Sequence, residues 1–169
     1  FGEFVAYDTS DQSNTPSRIQ DADIVIVNKV KLNEITLKNA KNVKLICITA
    51  TGTDNVDKEY ATSRGIAVTN VSGYSTSSVA QHTFALLFYI LEKLDYYNDY
   101  VKTGNYTESG MFSHFDKKYK ELEGMTWGII GLGAIGRKVA QIASAFGCKV
   151  IYYSASGKNT STDYKQVDF

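Results

Sequence analysis

Within this chain of 169 residues, the spacing Gly131-x-Gly133-x-x-Gly136 carries the clearest chemistry. It follows the apolar run Trp127-Gly128-Ile129-Ile130 and opens a helical stretch, the context in which such a loop receives a pyrophosphate. Gly131 permits the tight turn, Gly133 lets an anion approach the backbone, and Gly136 lets the helix pack close to the strand. The free amides of the helix start, near Ala134 and Ile135, then face the negative charge. The competing reading is a glycine-rich turn without a ligand, and the strand–loop–helix setting argues against it.

A dinucleotide site also needs a group for the adenosine ribose at the end of its second strand. That place is Ser154, followed by Ala155, Ser156, Gly157 and Lys158, with no Asp or Glu. Without a carboxylate, nothing repels a 2′-phosphate, and Lys158 with the hydroxyls of Ser154 and Ser156 could bind one. Equally, these are ordinary loop residues and the cofactor is plain NAD. NAD and NADP both stay open.

A second loop, Thr51-Gly52-Thr53-Asp54-Asn55-Val56-Asp57, follows another strand-like run, and ligands of open α/β sheets bind at such strand ends. Gly52 allows amides to turn toward an anion, although any βα turn could look like this. The two histidines are weak candidates for proton transfer, which needs a partner group in reach. His82 lies in a long helical segment and reads as structural. His114 lies in a polar aromatic stretch and reads as solvated or packed. Two His and two Cys, far apart in sequence, make a metal site improbable.

The elements that must position these loops are short. Phe4-Val5-Ala6-Tyr7, Ile24-Val25-Ile26-Val27, Leu45-Ile46-Cys47-Ile48 and Ile66-Ala67-Val68 are strand-like. The later runs are continuous rather than alternating, which predicts parallel strands covered on both faces. Helical spacers fit residues 33–40 and 57–64, with Gly65 as a C-terminal cap. Strand and helix alternation means a parallel α/β layer. A long helix is predicted from residue 77 to the mid-90s, with Val79, Thr83, Leu86, Leu87, Ile90, Leu91 and Leu94 on one face and Ser78 with Gln81 as a capping box. The aromatic stretch from Tyr96 to Tyr119 has no clean period and reads as a connecting arm. A second α/β unit follows: strand 127–130, a helix to about Phe146 with Ile135, Val139, Ile142, Ala143 and Phe146 inward, Gly147 as its stop, and strand 149–153.

Composition sets outer limits. Eighteen basic residues balance eighteen acidic ones, so no positive excess exists for nucleic acid. No run approaches the ~20 apolar residues of a membrane helix. Cys47 and Cys148, inside apolar runs, read as reduced thiols of a cytoplasmic protein. The chain opens on strand-like residues without Met and stops after a strand that looks mid-domain, so it is expected to be an internal piece of a longer polypeptide.

The loop at Thr51 to Asp57, then Arg64-Gly65-Ile66-Ala67-Val68-Thr69-Asn70, Gly73, Ser78-Val79-Ala80-Gln81-His82-Thr83, and Leu122-x-Gly124-x-Thr126-Trp127 through Gly136 stand in a distinctive order. In that order the sequence resembles the D-isomer-specific 2-hydroxyacid dehydrogenases over essentially its whole length, with the glycerate dehydrogenase/hydroxypyruvate reductase branch nearest. The resemblance implies an α/β protein of two parallel-sheet domains, both incomplete here. A flavodoxin-like substrate domain is expected over 1–97, ending in the long helix. The arm and the first half of a Rossmann NAD(P)-binding domain are expected over 98–169.

It also implies a homodimer, with the long helix and the arm near the interface, acting on a small 2-oxo or 2-hydroxy acid. By position, Thr51 and Gly52 match the loop that holds the substrate carboxylate, and Thr51 also touches the cofactor. Val79 matches a residue on the nicotinamide side, and Ala134 and Ile135 match pyrophosphate contacts. The Arg, His and Glu of the family's chemistry are expected beyond Phe169, so no catalytic residue is assigned in this chain and the chain alone is expected to be inactive. The alternative is a dinucleotide-sensing scaffold, corepressor-like, without turnover.

Overall fold

The computed structural model describes residues 2–168. They form two compact units that divide between Tyr74 and Ser75. The helix that opens the second unit buries Ala80 and Phe84 in that unit's core.

The first unit begins with an irregular segment and α1 (Thr15–Arg18). It continues with β1 (Ile24–Val27), α2 (Glu34–Leu37), β2 (Leu45–Ile48), α3 (Lys58–Ser63) and β3 (Ala67–Asn70). The strands make a parallel sheet in the order β1-β2-β3, with Val25 opposite Ile46 and Ile46 opposite Val68. The helices α2 and α3 are each capped by the residue before them. The Asn33 carboxamide oxygen accepts the Thr36 amide while the Thr36 hydroxyl accepts the Asn33 amide. Asp57 accepts the Tyr60 amide at 2.9 Å. These caps satisfy helix-start amides that have no partner within the helix. After α3, Gly65 takes φ +70°, the left-handed conformation expected of a stop glycine.

Val25, Ile46 and Ile48 pack with Leu32, Leu37, Val56, Ala61 and Ile66 into one buried core. The opposite sheet face is not covered as predicted: Ile24 and Ile26 are each 57% exposed. The buried residues of this sheet lie on the Val25–Ile46–Ile48 side, so alternate residues of β1 remain in solvent. Phe4 to Tyr7 form no strand. The Tyr7 ring instead lies under the Arg18 guanidinium, 4.2 Å from its centroid.

The second unit opens with α4 (Thr76–Leu91), α5 (Leu94–Lys102) and α6 (Asn105–Ser109). The predicted long helix is therefore two: Lys93, at φ 54°, breaks it. The predicted capping box does not form. Ser78 lies inside the helix and donates its hydroxyl to the Ser75 carbonyl at 3.0 Å. The inward face also differs from the expected one. Ala80 and Phe84 are buried with Leu87 and Phe88 against them, while Val79, Leu86, Ile90 and Leu94 are exposed. Aromatic packing decides this. Phe84 stacks on Trp127 at 5.0 Å and on Phe146 at 5.8 Å, and Phe88 meets Phe146 edge-on at 5.2 Å. Such ring pairs stabilise beyond the apolar area they bury.

The arm is more regular than its sequence suggests. Tyr96 and Tyr97 of α5 reach the chain after α6, where the Tyr96 hydroxyl lies 2.8 Å from His114 Nε2 and donates to Asp116 at 3.1 Å. Beyond the arm come β4 (Thr126–Ile130), α7 (Ala134–Ala145), β5 (Lys149–Tyr153) and β6 (Lys165–Gln166), a second parallel sheet in the order β4-β5-β6. Ile129, Val139, Ala140, Ala143, Val150 and Tyr152 build its core. Cys47 and Cys148 are both free thiols, and burial pushes the Cys148 thiol above its ordinary pKa. Among the described residues no helix is long and apolar enough to cross a membrane, and no cluster of His, Cys, Asp and Glu could hold a metal.

Candidate functional site

The glycine loop sits at the carboxyl end of β4, where Gly131 donates its amide to the Tyr153 carbonyl of β5 at 2.8 Å. Its φ of +93° is a conformation that L side chains rarely adopt. Gly133 is the residue before α7, with φ −75° and ψ −167°, angles open to any amino acid. A Cβ built on it meets nothing within 4 Å. The fold therefore does not itself need a glycine at position 133. Gly136 is different. A Cβ there would overlap the Gly131 carbonyl oxygen and lie 3.3 Å from Ile129 Cγ2, so this glycine serves the contact of α7 with the loop and β4. The amides of Ala134, Ile135 and Gly136 belong to the first turn of α7 and have no acceptor within the helix. Together with the helix dipole they favour an anion at this position. The residues present fit a pyrophosphate.

At the end of β5, Ser154 is buried while residues 155–158 are exposed. Its carbonyl accepts the Gly157 amide at 3.1 Å, and the Ser156 hydroxyl accepts the Lys158 amide at 3.3 Å. The turn thus presents Ser156 and Lys158 at the surface.

In the first unit, Thr51 and Gly52 lie beyond the end of β2, exposed. The Asn70 side chain donates to the Thr51 carbonyl at 2.8 Å. Because a trans peptide points its C=O and N–H in opposite directions, this bond turns the Gly52 amide away from Asn70. Lys58 donates to the Thr53 hydroxyl at 3.1 Å, and Asp57 is occupied as the cap of α3. Asn70, at the end of β3 and the last residue of the Arg64–Asn70 motif, thus braces the Thr51 loop, a contact the sequence pattern did not disclose.

Val79 lies exposed on the first turns of α4. His82 is exposed on the same helix, and among the described residues no carboxylate forms an ion pair with it. His114 is packed: its ring lies 3.8 Å from that of Tyr100 with 2° between their planes. The Lys117 ammonium on Asp116, followed by the Tyr96 hydroxyl, holds that carboxyl below its ordinary range. This cluster braces the arm.

The strand, glycine loop and helix of the second unit define a Rossmann-type βαβ unit, preceded by a separate parallel α/β unit. The description "D-isomer specific 2-hydroxyacid dehydrogenase, catalytic domain" matches residues 1–165, and the chain belongs to this family. It is 36% identical over 150 residues to a glycerate dehydrogenase of Methylorubrum extorquens, covering 89% of this chain and 48% of that one. Among solved structures it resembles a D-lactate dehydrogenase from Aquifex aeolicus complexed with NAD and lactic acid, with TM-score 0.76 and 32% identity, covering 94% of this chain and 46% of that one. It also resembles an acyclic imino acid reductase in complex with NADPH and D-Arg, with TM-score 0.82 and 29% identity, covering 96% of this chain and 51% of that one. The chain spans about half the length of these relatives.

Proposed function

We propose that this chain is the substrate-loop and cofactor-loop portion of an NAD- or NADP-dependent oxidoreductase that interconverts a D-2-hydroxy acid and its 2-oxo acid. The substrate would be of the glycerate/hydroxypyruvate or glyoxylate type. The observation that carries the reading is the glycine loop at the carboxyl end of β4, at the start of a helix whose first amides have no acceptor within it. Gly131, Gly133, Ala134, Ile135 and Gly136 hold the pyrophosphate, and Ser154 and its turn face the adenosine ribose. Val79 lines the nicotinamide side. Thr51 and Gly52 capture the substrate carboxylate, with Thr51 also touching the cofactor. The bound nicotinamide supplies the hydride chemistry, and the protein supplies orientation and charge complementarity. Support comes from the family membership and from relatives whose complexes hold NAD or NADPH. The corepressor alternative has no such support. A homodimer in the cytoplasm completes the proposal, consistent with free thiols and with the exposed apolar stripe of α4.

The proton carrier and the Arg that grips the substrate belong, on this reading, to residues outside these 169. A chain of residues 1–169 alone is therefore expected to show no turnover, since a missing acid/base by itself costs about 10²-fold or more. Incubation with hydroxypyruvate or glyoxylate, followed by reduced-cofactor absorbance, tests this. Turnover by a sample of verified mass would overturn it.

Cofactor choice is expected to be relaxed. A carboxylate at position 154 would accept two ribose hydroxyls and repel a 2′-phosphate; serine keeps at most one weak neutral hydrogen bond and removes the repulsion. A charge-assisted hydrogen bond is worth ~1.5–3 kcal/mol, against ~1.4 kcal/mol per tenfold. The complete enzyme should therefore use NADPH within about tenfold of NADH, and Ser154→Asp should swing kcat/KM toward NADH. A strong NADH preference in the wild type, unchanged by Asp, would show that position 154 does not read the ribose.

A further inference from the structure

The loop that follows β5 is anchored by two residues that the cofactor reading does not use. Tyr152 is 1% exposed. Its hydroxyl oxygen accepts the Ser161 amide at 3.0 Å. Its single proton goes to Gln166 Oε1 at 3.1 Å, with the Ser161 carbonyl at 3.4 Å as a second acceptor. Arg137, the residue after Gly136 in the glycine loop's helix, donates from Nη2 to the Thr160 carbonyl at 2.5 Å. Between Ser154 and these anchors the chain closes its turn, with Gly157 at φ +66°, and carries Lys158 outward. Among the described residues no carboxylate forms an ion pair with the Lys158 ammonium. The segment 154–161 is thus tied at one end to the strand and at the other to the core through Tyr152 and to the helix of the phosphate loop through Arg137.

We propose that Tyr152 and Arg137 are positioning residues that fix the 154–161 loop, and that through Lys158 they set how strongly the site distinguishes a dinucleotide bearing a 2′-phosphate from one without it. The inference rests on the dinucleotide-binding reading above and deepens it. Both anchors grip loop backbone. A loop released from them gains conformational freedom that must be lost again when Lys158 meets a phosphate. The cost falls on the ligand that uses Lys158, the 2′-phosphorylated one. A ligand without the 2′-phosphate, which makes no contact with Lys158, is affected less.

The test is calorimetric titration of NADH and NADPH into the complete enzyme carrying Tyr152→Phe, Arg137→Met, Lys158→Ala, and each anchor variant combined with Lys158→Ala. Gly133→Val serves as the control on the reading itself. One neutral hydrogen bond corresponds to a few-fold to about tenfold in binding. Tyr152→Phe and Arg137→Met should each weaken NADPH about three- to tenfold while NADH changes less than about twofold. In the Lys158→Ala background they should shift the NADPH/NADH ratio no further, since residues acting through one group are non-additive. Arg137→Lys, which can still donate to Thr160, should restore part of the loss. A merely structural role would weaken both nucleotides alike or add fully to Lys158→Ala, and either result would overturn the proposal. So would an unchanged ratio in both single variants while Gly133→Val abolishes binding, which would leave the dinucleotide reading standing. No binding by the wild type, or undiminished binding by Gly133→Val, would remove that reading and the proposal with it. Arg137 lies toward the surface of its helix, so its variants keep the test decisive should Tyr152→Phe fold poorly.

Discussion

Gly133→Val should leave the second unit folded and reduce dinucleotide affinity by at least about a hundredfold, equivalent to roughly 2.7 kcal/mol. The two halves of this expectation have separate grounds. The fold tolerates the change because Gly133 has φ −75° and an added Cβ has nothing within 4 Å. The ligand does not tolerate it, because the side chain fills the space through which a pyrophosphate reaches the helix amides. Each charge-assisted amide hydrogen bond is worth about 1.5–3 kcal/mol, so removing two of them meets the stated figure. Calorimetry with NADH, with a thermal melt on the same samples, measures both halves. Equal affinity in wild type and variant would refute the assignment of the loop, and a collapsed melt would refute the claim that the glycine is not needed for folding.

Gly136→Val should do the reverse and damage the fold. Its Cβ would overlap a backbone oxygen, and backbone cannot swing aside as a flexible side chain can. Overpacking of this kind costs about 1–3 kcal/mol, occasionally more, and the upper end is expected here because the clash lies between two elements. The single tryptophan, Trp127, stacks on Phe84 in the same unit, so its fluorescence reports on that unit alone. The variant should show red-shifted emission and a lowered midpoint. Native emission with an unchanged midpoint would mean that α7 has room to move away from β4.

The difference between these glycines was legible in the sequence, and so were β1, β2, β4 and β5, because runs such as Ile24–Val27 and Lys149–Tyr153 are rich in β-branched and aromatic residues and are bounded by helices or turns. The phase of α4 was not. Thr76–Leu91 is apolar on most of its circumference, and aliphatic spacing alone favours Val79, Leu86 and Ile90. The face that packs is chosen by partners distant in sequence, Trp127 and Phe146, for which Phe84 and Phe88 are better shaped. The strand-like composition of Phe4–Tyr7 misled for a related reason: a strand exists only with a neighbour to bond to. The glycine loop could be read because its function depends on the local backbone. Asn70, Tyr152 and Arg137 could not, because each acts on a peptide group that lies well away along the chain.

The cores of the two units share no residue: Ile46 and its neighbours close one, Phe84 and Trp127 the other. Stability is then not one number for this molecule. Heat or denaturant is then expected to act on two cooperative bodies, and two-probe melts that fail to coincide would show it. The severity of a core substitution therefore depends on which probe looks at it. Trp127 sees half the protein, and the unit that carries Thr51 and Gly52 has to be followed by some other signal.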